Sequence, residues 1–223
     1  VVDETQDHTP MALRMIARRS LNGSMTLVGD IAQATAPGAA ANWDQVLNYL
    51  PSATKEPRVR ELTLSYRIPA PNLELANKVL ALAAPDLASP KAVRSVGTPP
   101  RIIQIERENV NSVDDLVQQS VSLVEEESKA LGGGSVAVIA PQSLIDQVDA
   151  ALDARGVDYG RATTASRNVS GPLHPKIALM PVQLVKGLEL DGTVVIEPST
   201  ILDEEPQGLR ALYVALTRST KRL

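Results

Sequence analysis

Apolar and polar positions follow one pattern near the start of the chain and another in the rest. After Leu62, short β-branched segments alternate with longer segments in which apolar residues recur at the helical period. The predicted strands are 62–64, 101–105, 135–140, 176–182 and 193–196, and the predicted helices are 69–84, 112–131, 143–154 and 207–217. Strands that alternate with helices are typical of a parallel sheet with helices on both faces. The pattern therefore predicts an α/β fold.

The start of the chain carries two short apolar segments, each followed by polar side chains. The first segment precedes Asp3 and Glu4, and the second, at 25–28, leads to Gln33, with a helix predicted between them at 10–19. Two buried parallel strands would bring their carboxyl ends to one edge of a sheet, where open α/β sheets bind ligands. We therefore expect these polar residues to share a site.

Acids directly after a β-branched pair are typical of a Walker B segment. Asp3 could hold Mg²⁺ through water, and Glu4 could orient or deprotonate an attacking water molecule. The alternative is a strand followed by an acidic helix cap, which many α/β proteins contain. For Gln33 the alternative is a solvent-facing loop residue. These short segments alone leave both alternatives open.

The composition favours a globular protein and disfavours a membrane protein or a strong nucleic-acid binder. Hydrophobic residues make up 43% and charged residues 22% of the 223 residues, which is ordinary for a globular domain. There is no apolar run of about 20 residues that would span a membrane, and the lack of cysteine fits a cytoplasmic protein. The net charge of −4 argues against a strong, self-sufficient nucleic-acid binder. Phenylalanine is absent, so few base-stacking surfaces can form.

Five segments together point to a known family. They are 1–7 (VVDETQD), 27–33 (LVGDIAQ), 65–67 (SYR), 186–191 (KGLELD) and 213–219 (YVALTRS). In this order they resemble motifs II, III, IV, V and VI of the UvrD/Rep-type superfamily 1 helicases. Each segment alone is only suggestive, but five in the right order across the whole chain are specific. The resemblance implies a RecA-like fold and an ATP-dependent enzyme that uses Mg²⁺.

The resemblance implies roles for the residues that would surround the triphosphate. Asp3 would bind Mg²⁺, Glu4 would activate the hydrolytic water, and Gln33 would sense the γ-phosphate. Arg67 and Arg218 would reach the γ-phosphate as paired arginine fingers. A planar guanidinium can donate two parallel hydrogen bonds to a phosphoryl group, so these residue types suit the chemistry.

Three further residues would bind the nucleoside. By the same resemblance, Tyr66 would stack on the base, Glu189 would contact the ribose, and Gly187 would let the backbone approach the nucleotide. For Arg67 and Arg218 taken singly, the alternative is a surface cation. Their place within the ordered motifs makes the functional interpretation the better one.

The resemblance also implies a domain layout. Residues 1–60 would be the C-terminal remnant of a first RecA-like domain, and residues 61–223 would form the second, without a large 2B insertion. No G-x-x-x-x-G-K-S/T phosphate loop is present in the sequence. We therefore expect that loop in an N-terminal part of the same protein, and we expect the 223-residue chain alone to be inactive.

Two departures from the motifs leave the main partner open. Residues 34–40 are small where translocating members carry base-stacking aromatics, and Pro181 and Gln183 replace a Thr and a His of motif V. One interpretation is a DNA helicase or translocase that moves on single-stranded DNA. The other is a HelD-like ATPase that binds and recycles bacterial RNA polymerase. A third, a non-catalytic interaction domain, is disfavoured by the retained Glu4 and Arg218.

Overall fold

The computed structural model describes residues 1–50, 57–105, 112–162 and 176–223. The helices are α1 (Pro10–Arg19), α2 (Trp43–Asn48), α3 (Ala70–Ala83), α4 (Ser112–Ala130), α5 (Ile145–Ala154), α6 (Pro198–Glu204) and α7 (Gly208–Leu216). The strands are β1 (Leu64–Ser65), β2 (Lys91–Ala92), β3 (Val136–Ala140), β4 (Tyr159–Arg161), β5 (Ile177–Pro181), β6 (Leu190–Val195) and β7 (Ser219–Arg222). The sequence also indicates a polar connector at 51–61 and a loop at 158–175, of which 51–56 and 163–175 lie outside the described residues.

The central feature is a parallel sheet of five strands in the order β4-β5-β3-β6-β7. All five residues of β3 are buried, as expected for the middle strand of a sheet that is covered on both sides. Val136 and Val138 pack with the apolar faces of α4 and α5, whereas Ala137 and Ile139 pack with α6 and α7. The prediction of an α/β fold with a parallel sheet and helices on both faces is confirmed.

A second apolar layer joins α7 to α3 and to the start of the chain. Leu212 and Leu216 of α7 pack against Ala76 and Leu80 of α3, and Ala32 belongs to the same cluster. Ala32 lies on a short 3₁₀ turn, Ile31–Gln33, that follows the second apolar segment. The packing therefore fixes that turn against α7, whose last residues begin the segment 213–219.

The two apolar segments at the start of the chain form less sheet than predicted. They pair only through one parallel bridge between Val2 and Leu27, and Val1 and Val28 are exposed. The prediction of two buried strands is wrong for the described residues. Two segments with no further strand beside them do not bury both faces.

The predicted strand at 101–105 is also wrong. The Arg101 N–H donates to the carbonyl oxygen of Leu223 at 2.9 Å, but no ladder follows, and Ile102 is 80% exposed. β-Branched residues favour strands only where a neighbouring strand offers a ladder. Four of the helices and strands were not predicted, namely β2, β4, α6 and the polar strand β7, and both β2 and β4 lie where the sequence indicates a loop. No described helix combines the length and the apolarity that a membrane span requires.

Candidate functional site

The acids near the start of the chain lie on a tight turn. The Thr5 hydroxyl donates to the carbonyl oxygen of Val28 at 2.8 Å, and Thr5 and Gln6 are fully buried. Glu4, just before this anchor, has a left-handed backbone with a φ of 48°, which a residue other than glycine adopts at an energetic cost. The turn leaves Asp3 and Glu4 exposed, and the Glu4 N–H donates to Asp3 Oδ1 at 2.8 Å. Both carboxylates are therefore accessible to a ligand.

Gln33 connects the start of the chain to the two last predicted motifs. Its amide nitrogen donates to Asp30 Oδ2 at 2.8 Å, and its amide oxygen accepts from Arg218 Nη2 at 3.1 Å. Its backbone carbonyl accepts from Lys186 Nζ at 2.6 Å. Both ends of the Gln33 amide are therefore hydrogen-bonded. This does not fit the alternative of a solvent-facing loop residue.

Lys186 is a member of the site that the sequence predictions did not name. Its ammonium group lies 2.7 Å from the Asp7 carboxylate and 3.9 Å from Glu4 Oε2, and its side chain is only 17% exposed. The only sequence signal for this role was its place directly before Gly187 in the segment 186–191. Lys186 brings a positive charge from the turn after β5 to the acids at the start of the chain.

Arg218 follows the C-terminus of α7 and is almost fully buried, with 3% of its surface exposed. Its Nε donates to the carbonyl oxygen of Val214 at 3.0 Å, and its Nη2 donates to Thr217 Oγ1 at 3.1 Å as well as to Gln33. The buried Arg218 guanidinium is thus held by its own helix on one side and by Gln33 on the other.

Burial, followed by the positive charge of Arg67, lowers the pKa of Arg218 to about 10. The negative charges of Glu4 and Asp30 act on this pKa in the opposite direction. At pH 7 the charged form of a group with such a pKa is still favoured by about a thousandfold. Arg218 is therefore a buried cation within electrostatic range of Arg67, Glu4 and Asp30.

Arg67 follows β1 and pairs with Glu189. Arg67 Nη1 is 2.7 Å from Glu189 Oε1, and the two side chains are 36% and 62% exposed. The buried Nε of Arg67 has no hydrogen-bond partner among the described residues. Arg94 donates to the carbonyl oxygens of Arg67 and Thr220 at 2.6 and 2.7 Å, so the Arg67 backbone is held against β7. One donor of the Arg67 guanidinium therefore remains unused.

The two remaining predicted nucleoside contacts lie close to this pair in sequence. Tyr66 is 69% exposed, so most of its ring is accessible. Gly187 has a φ of 77°, which favours glycine, and a Cβ there would meet nothing within 4 Å. Glycine at 187 is therefore required by the backbone conformation and not by lack of space.

The predicted metal ligand, Asp3, has few other donors around it in the described part of the chain. Among the described residues, no group of three or more His, Asp or Glu side chains is arranged to hold a metal ion. Asp3 is a single exposed carboxylate, which fits Mg²⁺ only if phosphate oxygens and water complete the octahedron. Asp3 would then act together with a bound polyphosphate, and it would not form a metal site of its own.

The structure brings several of the predicted residues into one region. Gln33 contacts Arg218, and Arg67 contacts Glu189, while Glu4 and Arg67 both lie within electrostatic range of Arg218. Asp3 is next to Glu4, and Tyr66 and Gly187 are exposed residues that adjoin Arg67 and Lys186 in sequence. Carboxylates close to guanidinium and ammonium groups suit a metal-bound anionic ligand.

Comparison with known proteins adds little to this geometry. No protein-family model matches the chain, and no curated protein matches it significantly. Among solved structures, the chain is similar to the C-terminal domain of a possible DNA helicase from Lactobacillus plantarum WCFS1. The two share 20% sequence identity with a TM-score of 0.47, over 71% of this chain and 84% of that one. A likeness at this level assigns no function to the chain.

Proposed function

We propose that the chain is the C-terminal part of an ATP-dependent superfamily 1 DNA helicase or translocase of the UvrD/Rep type. In this proposal residues 1–60 and 61–223 belong to two RecA-like domains, and the site between Glu4 and Arg218 completes the ATP site. The observation that carries the proposal is the contact of Gln33 with both Arg218 and Lys186. It supports a γ-phosphate position that acids border on one side and guanidinium groups on the other.

The proposed roles follow from the chemistry of phosphoryl transfer. Negative charge spreads over the transferred phosphoryl group, and guanidinium groups in a site that is partly closed to water stabilise that charge. Arg218 is already buried and positioned, and Arg67 has an unused donor. Glu4 would orient the attacking water, and Gln33 would respond to the γ-phosphate through its bond to Arg218.

The remaining roles concern the nucleotide and its metal. Mg²⁺ would be held by Asp3 together with phosphate oxygens, and it would neutralise charge on the phosphates. The exposed ring of Tyr66 would stack on the base, and Glu189 would exchange its bond to Arg67 for the ribose hydroxyls. The phosphate-binding loop that the proposed ATP site also needs is not among the 223 residues.

The test is ATP turnover by the full-length protein with single arginine substitutions. We expect Arg67→Ala to lower kcat by roughly 10³–10⁵-fold, as the loss of an arginine finger does in comparable enzymes. Because Arg218 is buried, Arg218→Lys is the milder variant, and it should lower kcat while a melting curve shows that the protein is folded. The matched control is Arg161→Ala, which removes an arginine that pairs with Asp146 and Asp149 on the β4 edge.

The control and the wild type should have the same kcat. Turnover that survives Arg67→Ala, or robust turnover by the isolated 223-residue chain, would contradict the proposal.

A second candidate is a HelD-like ATPase whose partner is RNA polymerase. The loop 34–42 contains no aromatic residue, and the Arg210 guanidinium approaches the carbonyl oxygen of Ala34 at 3.5 Å. This loop therefore offers no ring for stacking on a base next to Gln33. ATP-dependent strand displacement by the full-length protein would favour the first candidate. A stable complex with purified RNA polymerase and no strand displacement would favour the second.

A further inference from the structure

Five polar side chains form one continuous series of hydrogen bonds between the two ends of the chain. Gln6 Nε2 donates to Glu4 Oε2 at 2.5 Å, and Gln6 Oε1 accepts the Asp30 N–H at 3.0 Å. Asp30 Oδ2 accepts from Gln33 Nε2 at 2.8 Å, and Gln33 Oε1 accepts from Arg218 Nη2 at 3.1 Å. The series connects the exposed carboxylate of Glu4 to the buried guanidinium of Arg218.

The chemistry of the neighbours fixes the orientation of both glutamine amides. One end of an amide can only donate and the other end can only accept. The Asp30 carboxylate accepts and the Arg218 guanidinium donates, so the Gln33 amide fits between them in one orientation. The same holds for Gln6, which lies between the Glu4 carboxylate and the Asp30 N–H. Neither amide can rotate by 180° without placing like groups against each other.

Asp30 uses both of its carboxylate oxygens. Oδ1 accepts the Ala32 N–H at 2.9 Å and caps the turn Ile31–Gln33, and Oδ2 holds the Gln33 amide. Capping alone would require one oxygen, which an asparagine also supplies. The second oxygen is the only part of Asp30 that sets the direction of the Gln33 amide.

We propose that Asp30 is a positioning residue for Arg218. It aligns the Gln33 amide so that the amide oxygen holds the Arg218 guanidinium in the site. Gln6 supports the same series by holding Glu4 to the Asp30 backbone. The role of Arg218 as an arginine finger rests on the proposed function. The hydrogen-bond series is independent of that function.

A charge exchange between positions 30 and 33 tests the series in the 223-residue chain. Asp30→Asn keeps the cap but turns an NH₂ group toward Gln33, and Gln33→Glu places a carboxylate against Asp30. In the double variant, the new amide at position 30 donates to the new carboxylate at position 33, whose other oxygen still accepts from Arg218. We expect each single change to lower the melting temperature, and the double variant to recover at least half of the summed loss.

The matched control is Asp44→Asn, which removes the same charge from an exposed position in the first turn of α2. Its effect on the melting temperature should add to that of Gln33→Glu, because these two residues share no contact. Losses that are additive for the pair at 30 and 33 would overturn the positioning role.

A kinetic measurement on the full-length protein separates positioning from simple stability. Asp30→Asn should lower kcat about tenfold or more and change the KM for ATP by less than about twofold, as expected when an interaction acts mainly in the transition state. An unchanged kcat would overturn the positioning role. Non-additive melting in a full-length protein that does not hydrolyse ATP would overturn the proposed function while supporting the alignment of Gln33 by Asp30.

Discussion

At the residue scale, the position of the Gln6 amide depends on the missing side chain of Gly29. Gly29 has no positive φ, so an alanine would fit its backbone conformation. A Cβ at Gly29, however, would lie 2.3 Å from Gln6 Oε1 and 3.1 Å from the Thr5 nitrogen. Since Gln6 is fully buried and bonds to Glu4, the missing side chain makes room for the amide that holds this acid.

Gly29→Ala should therefore displace the Gln6 amide and lower the free energy of unfolding by about 1–3 kcal/mol, as overpacking of a filled site does. Chemical denaturation of the 223-residue chain measures this loss. The same substitution in a Gln6→Ala background should cost much less, because the clashing atom is gone. Equal costs in the two backgrounds would show that Gln6 is not the obstacle.

The sequence predicted some members of the site and missed others for a physical reason. Gln33 and Arg218 were predicted because they stand in short segments with characteristic neighbours, and the structure joins them directly. Lys186 and Gln6 were not predicted as site residues. Their importance comes from partners far away in sequence or from burial, and neither is visible in a local pattern.

At the scale of elements, Lys186 joins the turn after β5 to the start of the chain. Its Nζ lies 2.7 Å from the Asp7 carboxylate, and the two side chains are only 17% and 29% exposed. Partly buried ion pairs are weakly screened, and removal of one partner leaves the other charge without compensation. This ion pair therefore stabilises the position of the acidic turn relative to the sheet.

A double-mutant cycle with Lys186→Met and Asp7→Asn measures this coupling. We expect an interaction free energy of about 1–3 kcal/mol from denaturation of the single and double variants. The matched control is the pair of Lys221 and Asp191, also 2.7 Å apart but with the lysine 57% exposed. Exposed pairs contribute less than about 1 kcal/mol. A coupling for Lys186 no larger than the control would contradict the stabilising role.

Elements with strong local signals were predicted well, and those that depend on neighbours were not. Helix α1 has the predicted bounds, because Thr9 caps it by accepting the Ala12 N–H and Pro10 occupies its first position. Strand β3 is an uninterrupted apolar segment, which is typical of a central parallel strand. Strand β7 consists of polar residues, and it pairs with β6 through backbone hydrogen bonds. Its side-chain pattern therefore did not predict a strand.

At the scale of the whole molecule, Glu127 on α4 ties the end of the chain to the helical layer. Its carboxylate accepts from Arg222 on β7 and from Arg101, and only 13% of its side chain is exposed. The bond from Arg222, followed by weaker effects of Arg101, holds the pKa of Glu127 below its usual value despite burial. The folded state therefore favours the ionised form of Glu127.

The sign of the resulting pH dependence follows from the lowered pKa. A carboxyl whose pKa is lower in the folded state stabilises the fold above its unfolded pKa, and this contribution disappears as the pH falls through the folded pKa. Glu127→Gln should cost about 1–3 kcal/mol at pH 7. Its difference from wild type should shrink in unfolding experiments as the pH falls through the lowered pKa of Glu127, because the carboxyl then becomes neutral like the amide. The exposed neighbour substitution Glu126→Gln should show a smaller loss at pH 7.

The strand order has a consequence for the synthesis of this protein. Strand β3, the most apolar part of the sheet, ends at Ala140, but its two neighbours begin only at Ile177 and Leu190. A nascent chain therefore presents an unpaired apolar strand on both edges until the later strands have left the ribosome. Such strands are slow to pair and prone to self-association. The centre of the sheet is thus its most stable part once folded and its most vulnerable part during translation.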